Sequence, residues 1–140
     1  MPRAATAIAV ANQLAELQRV SHIVEEFGAR HGVPAPAVFE ISLALDEILT
    51  NVIAYAYDDH QDHVIAVRLA IADDGLTVEV EDDGRPFNPL EVPAADVTQP
   101  VENRPVGGLG VHLVRRVMSG LEYRRERGKN ILVMTKRFGA

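Results

Sequence analysis

Residues 37–57 read AVFEISLALDEILTNVIAYAY, and this stretch decides the fold. Its apolar side chains recur at three- and four-residue spacing, which predicts an α-helix over Ala37–Tyr57. They cover most of the helix circumference, and a helix of this kind is buried by other elements. Glu47 and Asn51 are four residues apart, so both project from one face. This pair indicates a polar site against a buried helix, although a polar stripe that meets solvent explains it equally well.

The rest of the chain predicts a sheet covered by helices. A short strand at Thr6–Val10 leads into a helix that Asn12 can cap. Alternation and turn signals then predict two hairpins with a helix between them: Val64–Ile71 with Leu76–Asp82, Gly110–Met118, and Leu121–Arg127 with Asn130–Arg137. This order predicts a two-layer α+β sandwich, in which helices pack on one face of a mixed sheet. Residues 1–140 are expected to form one domain.

The composition limits the possible functions. The chain has 140 residues, 47% hydrophobic and 24% charged, with no Cys and a net charge of −6. An acidic chain is a poor general binder of nucleic acid, which requires a basic surface. No apolar run approaches the ~20 residues needed to cross a bilayer, and the N-terminus lacks the apolar core of a signal peptide. We therefore expect a cytoplasmic protein that binds neither nucleic acid nor membrane.

The segment Asp82-Asp83-Gly84 ends the first predicted hairpin. Asp82 shares its parity with Val78 and Val80, so its carboxylate is expected to point toward the core, where it could accept a hydrogen bond from a ligand amine. Gly84 allows a close backbone approach or a positive φ. A plain strand-terminating turn accounts for the same residues.

A glycine cluster, Gly107-Gly108-Leu109-Gly110, opens the helix after a proline-rich segment. Residues 85–106 hold five of the eight prolines and have no periodicity, and loops of this length are usually functional lids or disordered. Glycines at a helix start let backbone N–H groups face an anion such as phosphate. The chain has no Gly-Lys-Ser or Gly-Lys-Thr ending, so this is not a Walker loop.

In this order, the three motifs resemble the nucleotide-binding pattern of the GHKL (gyrase, chaperone, histidine kinase, mismatch repair) ATPases. They are Glu47-x-x-x-Asn51, Asp82-x-Gly84 and Gly108-x-Gly110. The resemblance implies the Bergerat, or histidine-kinase-like, fold with a largely antiparallel sheet and an ATP lid at about 85–106. Residues 82–89 (DDGRPFNP) and 107–114 (GGLGVHLV) are similar, more narrowly, to the stand-alone bacterial anti-sigma-factor serine kinases.

The resemblance also implies a role for each motif residue. Asn51 would hold Mg²⁺ against the phosphates of ATP, and Glu47 would be the general base for an attacking hydroxyl. Asp82 would accept from the adenine amino group, with Gly84 beside it. Three residues at the end of the lid would wrap the phosphates: Gly108, Leu109 and Gly110.

The function implied is an ATP- and Mg²⁺-dependent serine/threonine-protein kinase. Its substrate would be an anti-sigma antagonist of the sulphate-transporter/anti-sigma (STAS) type. As an anti-sigma factor it would also bind a sigma factor, as a homodimer, and so regulate transcription. Two alternatives stay open, namely a non-catalytic module that docks on proteins in a nucleotide-dependent way, and a histidine-kinase catalytic domain separated from its phosphoacceptor.

Overall fold

The structure is a computed structural model, and it describes residues 2–91 and 109–138. The strands are β1 (Ala4–Ala11), β2 (Val64–Ala72), β3 (Gly75–Asp82), β4 (Gly120–Glu126) and β5 (Lys129–Arg137). The α-helices are α1 (Leu17–Arg30), α2 (Ala35–Tyr55) and α3 (Leu109–Val117). Short 3-10 turns cover Leu14–Glu16 and Pro89–Glu91.

The five strands form one sheet in the order β1-β2-β3-β5-β4. Every neighbouring pair in this described sheet is antiparallel, with Val67 opposite Val80 and Asp82 opposite Asn130. The predicted two-layer α+β architecture is confirmed, but the sheet is not mixed. The reason is that β5 inserts between β3 and β4, so these two strands, which run in the same direction, do not pair.

The two faces of the sheet differ in polarity. On β2 the side chains at alternate positions are buried against the helices, as the alternation predicts: Ile65, Val67, Leu69 and Ile71. The opposite face carries charged side chains such as Arg68, whose guanidinium lies 3.2 Å from the Glu79 carboxylate. The helices therefore cover one face only, and the other face meets solvent.

Helix α2 is the centre of the helical layer. Its buried side chains include Ile41, Leu45, Ile48, Leu49 and Val52, each at most 1% exposed. It ends two residues earlier than predicted, because the Ala56 carbonyl accepts the backbone N–H of Arg85 instead of continuing the helix. Among the described residues, no helix is both long and apolar enough to cross a membrane.

The predicted cap of the first helix is wrong. The Asn12 side chain accepts the backbone N–H of His63 (3.0 Å) and donates to the Gln61 carbonyl (3.1 Å), so it ties β1 to the loop before β2. The chain enters α1 through a 3-10 turn, where the Glu16 carboxylate accepts the Ala11 N–H (2.9 Å). These two long-range hydrogen bonds satisfy the Asn12 side chain, so it does not cap the helix.

We predict that Leu49→Ala lowers the free energy of unfolding by about 2–5 kcal/mol, because Leu49 is fully buried on α2 and its truncation leaves a cavity. Leu14→Ala is the matched control, since Leu14 is 56% exposed and should cost well under 1 kcal/mol. Urea unfolding followed by circular dichroism measures both. Equal losses would contradict the central position of α2.

Candidate functional site

The pair on α2 lies at the edge of the core. Asn51 is fully buried, whereas Glu47 is half-buried. The Asn51 amide nitrogen donates to Glu47 Oε1 (3.4 Å) and to the Pro89 carbonyl (3.2 Å). One turn of helix therefore holds a carboxylate and an amide together, and the amide also contacts the 3-10 turn that follows β3.

The other end of the Asn51 amide is unsatisfied. Its Oδ1 is buried and has no hydrogen-bond partner among the residues that the structure describes. A buried acceptor without a partner costs about 1–3 kcal/mol, so such an atom calls for an explanation. An oxygen ligand suits a hard cation such as Mg²⁺, which keeps several waters and uses phosphate oxygens as further ligands. No cluster of three or more acidic, His or Cys side chains in residues 2–91 and 109–138 could hold a metal alone. The donor set fits a cation that arrives with a phosphate ligand.

The start of α3 packs directly on Glu47. A Cβ placed on Gly110 would overlap the Glu47 carboxyl group, so a larger residue in this first helical turn would displace the Glu47 side chain from its present position. The N–H groups of a first turn have no partner within their helix and favour anions. Leu109 begins α3, although the position of its side chain is not described, and Gly108 lies outside the described residues.

Gly84 is required by a close backbone approach. A Cβ on Gly84 would overlap the Ala56 carbonyl oxygen and lie 2.9 Å from its carbon. The next residue, Arg85, donates its N–H to the Ala56 carbonyl (2.9 Å) and its side-chain Nε to the Tyr55 carbonyl (2.7 Å). Of the two reasons that the sequence allowed for this glycine, the close approach applies here. The end of β3 is thereby joined to the end of α2.

Asp82 points into the molecule, as its parity predicts, and is 3% exposed. Its Oδ1 accepts the Gly84 N–H (2.9 Å) and the Asn130 amide (2.9 Å). Burial raises the pKa of Asp82, and these two hydrogen bonds oppose that shift only in part. Asp83 faces outward, with its side chain half exposed. The site therefore holds a buried carboxylate that is costly to ionise.

Asn130 is a residue that the sequence analysis missed. It is 1% exposed, and its amide nitrogen donates to Asp82 and to the Arg85 carbonyl (2.7 Å). Three donors converge on its Oδ1, namely the Phe87 N–H (3.1 Å), the Tyr123 hydroxyl (2.6 Å) and an Arg125 guanidinium nitrogen (3.1 Å). Asn130 shares its parity on β5 with the buried Leu132 and Met134, so the sequence could have predicted that its side chain points inward. Its position opposite Asp82 depends on the register between β3 and β5, which the sequence does not show.

Helix α2 brings the three motifs together. Gly110 packs on Glu47, Pro89 on Asn51, and Gly84 on Ala56. Glu47 and Ala56, the residue that directly follows α2, are nine positions apart, which corresponds to about 13 Å along the helix axis. Of the predicted lid at 85–106, the structure describes residues 85–91, and residues 92–106 lie outside the described part of the chain. The result is a line of polar groups along one edge of a buried helix.

The fold defines a class of protein, the two-layer α+β domains in which helices cover one face of an antiparallel sheet. The chain belongs to the histidine kinase-like ATPase domain family, whose sequence model matches residues 10–136. The family resemblance inferred from the three motifs is therefore confirmed.

Several curated relatives are serine-protein kinases named RsbW. The protein from Listeria monocytogenes is 30% identical over 112 residues, which are 77% of this chain and 71% of the relative. The protein from Bacillus cereus is 29% identical over 111 residues, which are 76% of this chain and 68% of the relative. The similarity thus covers most of this chain and most of each relative.

Solved structures share the fold. The RsbU and RsbW domains of a Mycobacterium tuberculosis protein match 97% of this chain and 33% of theirs, with a TM-score of 0.69 and 17% identity. The SiaB-SiaC complex from Pseudomonas aeruginosa matches 95% of this chain and 89% of the other, with a TM-score of 0.58 and 11% identity. At these identities the likeness concerns the fold alone.

We predict that Asp82→Asn makes the protein without nucleotide more stable at neutral pH. The raised pKa means that the folded state keeps a proton that the unfolded chain has lost, so wild-type stability falls as the pH rises through the folded pKa. Asparagine keeps the Oδ1 acceptor and has no charge to bury. The advantage of the variant should be absent below the pKa of an unfolded aspartate, about 4, grow as the pH rises above it, and level off above the raised folded pKa. Melting temperatures across pH measure it, and parallel profiles would contradict the assignment.

We predict that Asn130→Ala destabilises the protein by roughly 2–4 kcal/mol, because several buried partners lose their hydrogen bonds. Tyr123→Phe is the matched control, since it removes one of the same contacts and should cost about 1 kcal/mol. Chemical denaturation compares the two variants. Losses of similar size would mean that Asn130 is not the centre of this network.

Proposed function

We propose that this protein is a serine/threonine-protein kinase that uses Mg-ATP and acts as an anti-sigma regulatory factor. Membership of an ATPase domain family and similarity to serine-protein kinases over most of the chain support the class of activity. The single observation that carries the catalytic part is the position of Glu47, one turn from Asn51 and against the glycine that starts α3.

In the proposed site, different residues would bind different parts of the nucleotide. Asp82 would accept from the adenine amino group beside Gly84, and Asn51 Oδ1 would hold Mg²⁺. Gly108, Leu109 and Gly110 would face the phosphates with backbone N–H groups. When bound, Mg²⁺ would neutralise charge on the phosphate oxygens, which is a large part of catalysis in phosphoryl transfer.

Glu47 would act as the general base. It would accept the proton of a substrate serine or threonine hydroxyl as that oxygen forms a bond to the γ-phosphorus of ATP. The bond between the γ-phosphorus and the β,γ-bridging oxygen breaks at the same time, and ADP leaves. A carboxylate beside an anion-binding helix start has the chemistry that this step needs.

The regulatory part of the proposal extends to partners. The substrate would be a STAS-type anti-sigma antagonist, and the protein would also bind a sigma factor, as a homodimer of single-domain chains. Similarity to the RsbW serine-protein kinases supports this part. A cytoplasmic location stays a prediction from the sequence.

We expect Asn51→Ala to abolish magnesium-dependent binding of ATP and ADP, because it removes the buried oxygen that would hold the cation. Isothermal titration calorimetry with and without Mg²⁺ measures this. Leu49→Ala, two residues away and fully buried, controls for loss of stability. Magnesium-dependent binding that persists in Asn51→Ala would contradict the assigned metal ligand.

We expect Glu47→Gln to keep nucleotide binding but lower phosphate transfer to a STAS protein by about 10²–10⁴-fold, the usual contribution of a general base. Transfer of radiolabelled phosphate measures it, with Glu40→Gln as the control on the same helix. Nucleotide binding without transfer by the wild type would favour the non-catalytic docking module. Unchanged transfer by Glu47→Gln would mean that another group is the base.

A further inference from the structure

A groove of about 480 Å³ opens between α1 and α2. Glu25 and Ala29 of α1, Val33 of the connecting turn, and a stripe of α2 form its lining; that stripe comprises Ala35, Val38, Phe39, Ser42, Leu43 and Asp46. The helices approach closely at its base, where a Cβ on Gly28 would lie 2.6 Å from the Val38 side chain.

The groove exposes large apolar side chains that are not part of the buried core. Phe39 is 55% exposed and Leu43 is 38% exposed, although both lie on the most apolar helix of the chain. Exposed large apolar side chains that share one concave surface mark interaction sites more often than scattered ones do. The apolar part of the groove therefore indicates that another molecule covers it.

The polar groups of the groove are also unpartnered. The Ser42 hydroxyl is buried and has no hydrogen-bond partner within residues 2–91 and 109–138. The side chains of Glu25 and Asp46 make no hydrogen bond or ion pair in the described part of the chain, whereas the carboxylate of Glu40, on the same helix as Asp46, pairs with Lys136 (3.1 Å). Partial burial raises the pKa of Asp46, so its charge costs free energy that a cationic partner would offset.

We propose that this groove binds a protein segment that is apolar on one side and carries Lys or Arg side chains. The apolar side would cover Phe39 and Leu43, and the cations would meet Glu25 and Asp46. A second copy of this chain fits poorly, because two such faces would place these acids against each other, and the chain has a net charge of −6. Charge complementarity therefore selects a basic partner.

The groove is separate from the proposed nucleotide site. Asp46 and Glu47 are consecutive, and consecutive residues of an α-helix project about 100° apart. Asp46 faces the groove, and Glu47 faces the start of α3. Groove binding is therefore testable without ATP and does not depend on the proposed kinase activity.

The probe is a fluorescent amphipathic peptide about 15 residues long, near the length at which an isolated helix becomes marginally stable. It carries Leu on one face and Lys on the flanks, and a second peptide has Glu in place of every Lys. Fluorescence anisotropy gives both affinities, and chemical shifts of labelled protein locate the contact. We expect only the Lys peptide to bind, with shift changes concentrated on the groove.

Matched variants test the apolar part and the acidic part of the groove separately. Phe39→Ala should weaken binding by about tenfold, whereas Leu14→Ala should not, because Leu14 is equally exposed but lies outside the groove. Glu25→Gln combined with Asp46→Asn should weaken binding by about tenfold as well. The control combines Glu122→Gln with Asp62→Asn, which changes the net charge equally at exposed positions elsewhere.

Three results would overturn the proposal. Equal weakening by both charge pairs would mean that the peptide responds only to the overall charge. Shift changes outside the groove would place the binding elsewhere. If neither peptide binds and Phe39→Ala dissociates a homodimer in analytical ultracentrifugation, the groove is an interface between copies of this chain.

Discussion

The burial of α2 is the constraint on which the rest of the structure depends. Its side chains are apolar around most of the helix, so other elements must cover most of its surface. The sheet covers one side, α1 and α3 flank it, and the 3-10 turn after β3 closes over Asn51. Phe39 and Leu43 are the places where this covering is incomplete.

The polar groups of the site lie in the same buried core and lower the stability of the folded protein. Asn51 has a buried oxygen with no hydrogen-bond partner in the described part of the chain, and Asp82 has a buried carboxylate with a raised pKa. Each lowers the stability of the protein alone, and each is the kind of group that a polar ligand would stabilise. The surrounding glycines serve the same arrangement, because Gly84 and Gly110 make room for backbone and carboxylate at close range.

Periodicity predicted most elements to within two or three residues, since burial on one side leaves a repeating pattern in the sequence. Parity likewise predicted the inward direction of Asp82, although its role and those of Glu47 and Asn51 stay predictions. The sequence did not predict the features that depend on partners far away in the chain. Asn12 bonds to residues about fifty positions away instead of capping a helix, and Asn130 meets Asp82 only through the register of β5. Neither pairing leaves a local signal.

The strand order has a consequence for how the protein is made. Although β5 is the last of the five strands to be synthesised, it occupies an interior position between β3 and β4. Until it emerges from the ribosome, β3 has an open edge and Asp82 lacks its Asn130 partner. Closing a loop of nearly fifty residues to join them is slow compared with forming a local hairpin. A nascent chain that stalls before β5 would therefore present an unfinished sheet to chaperones and proteases, without an assembled site.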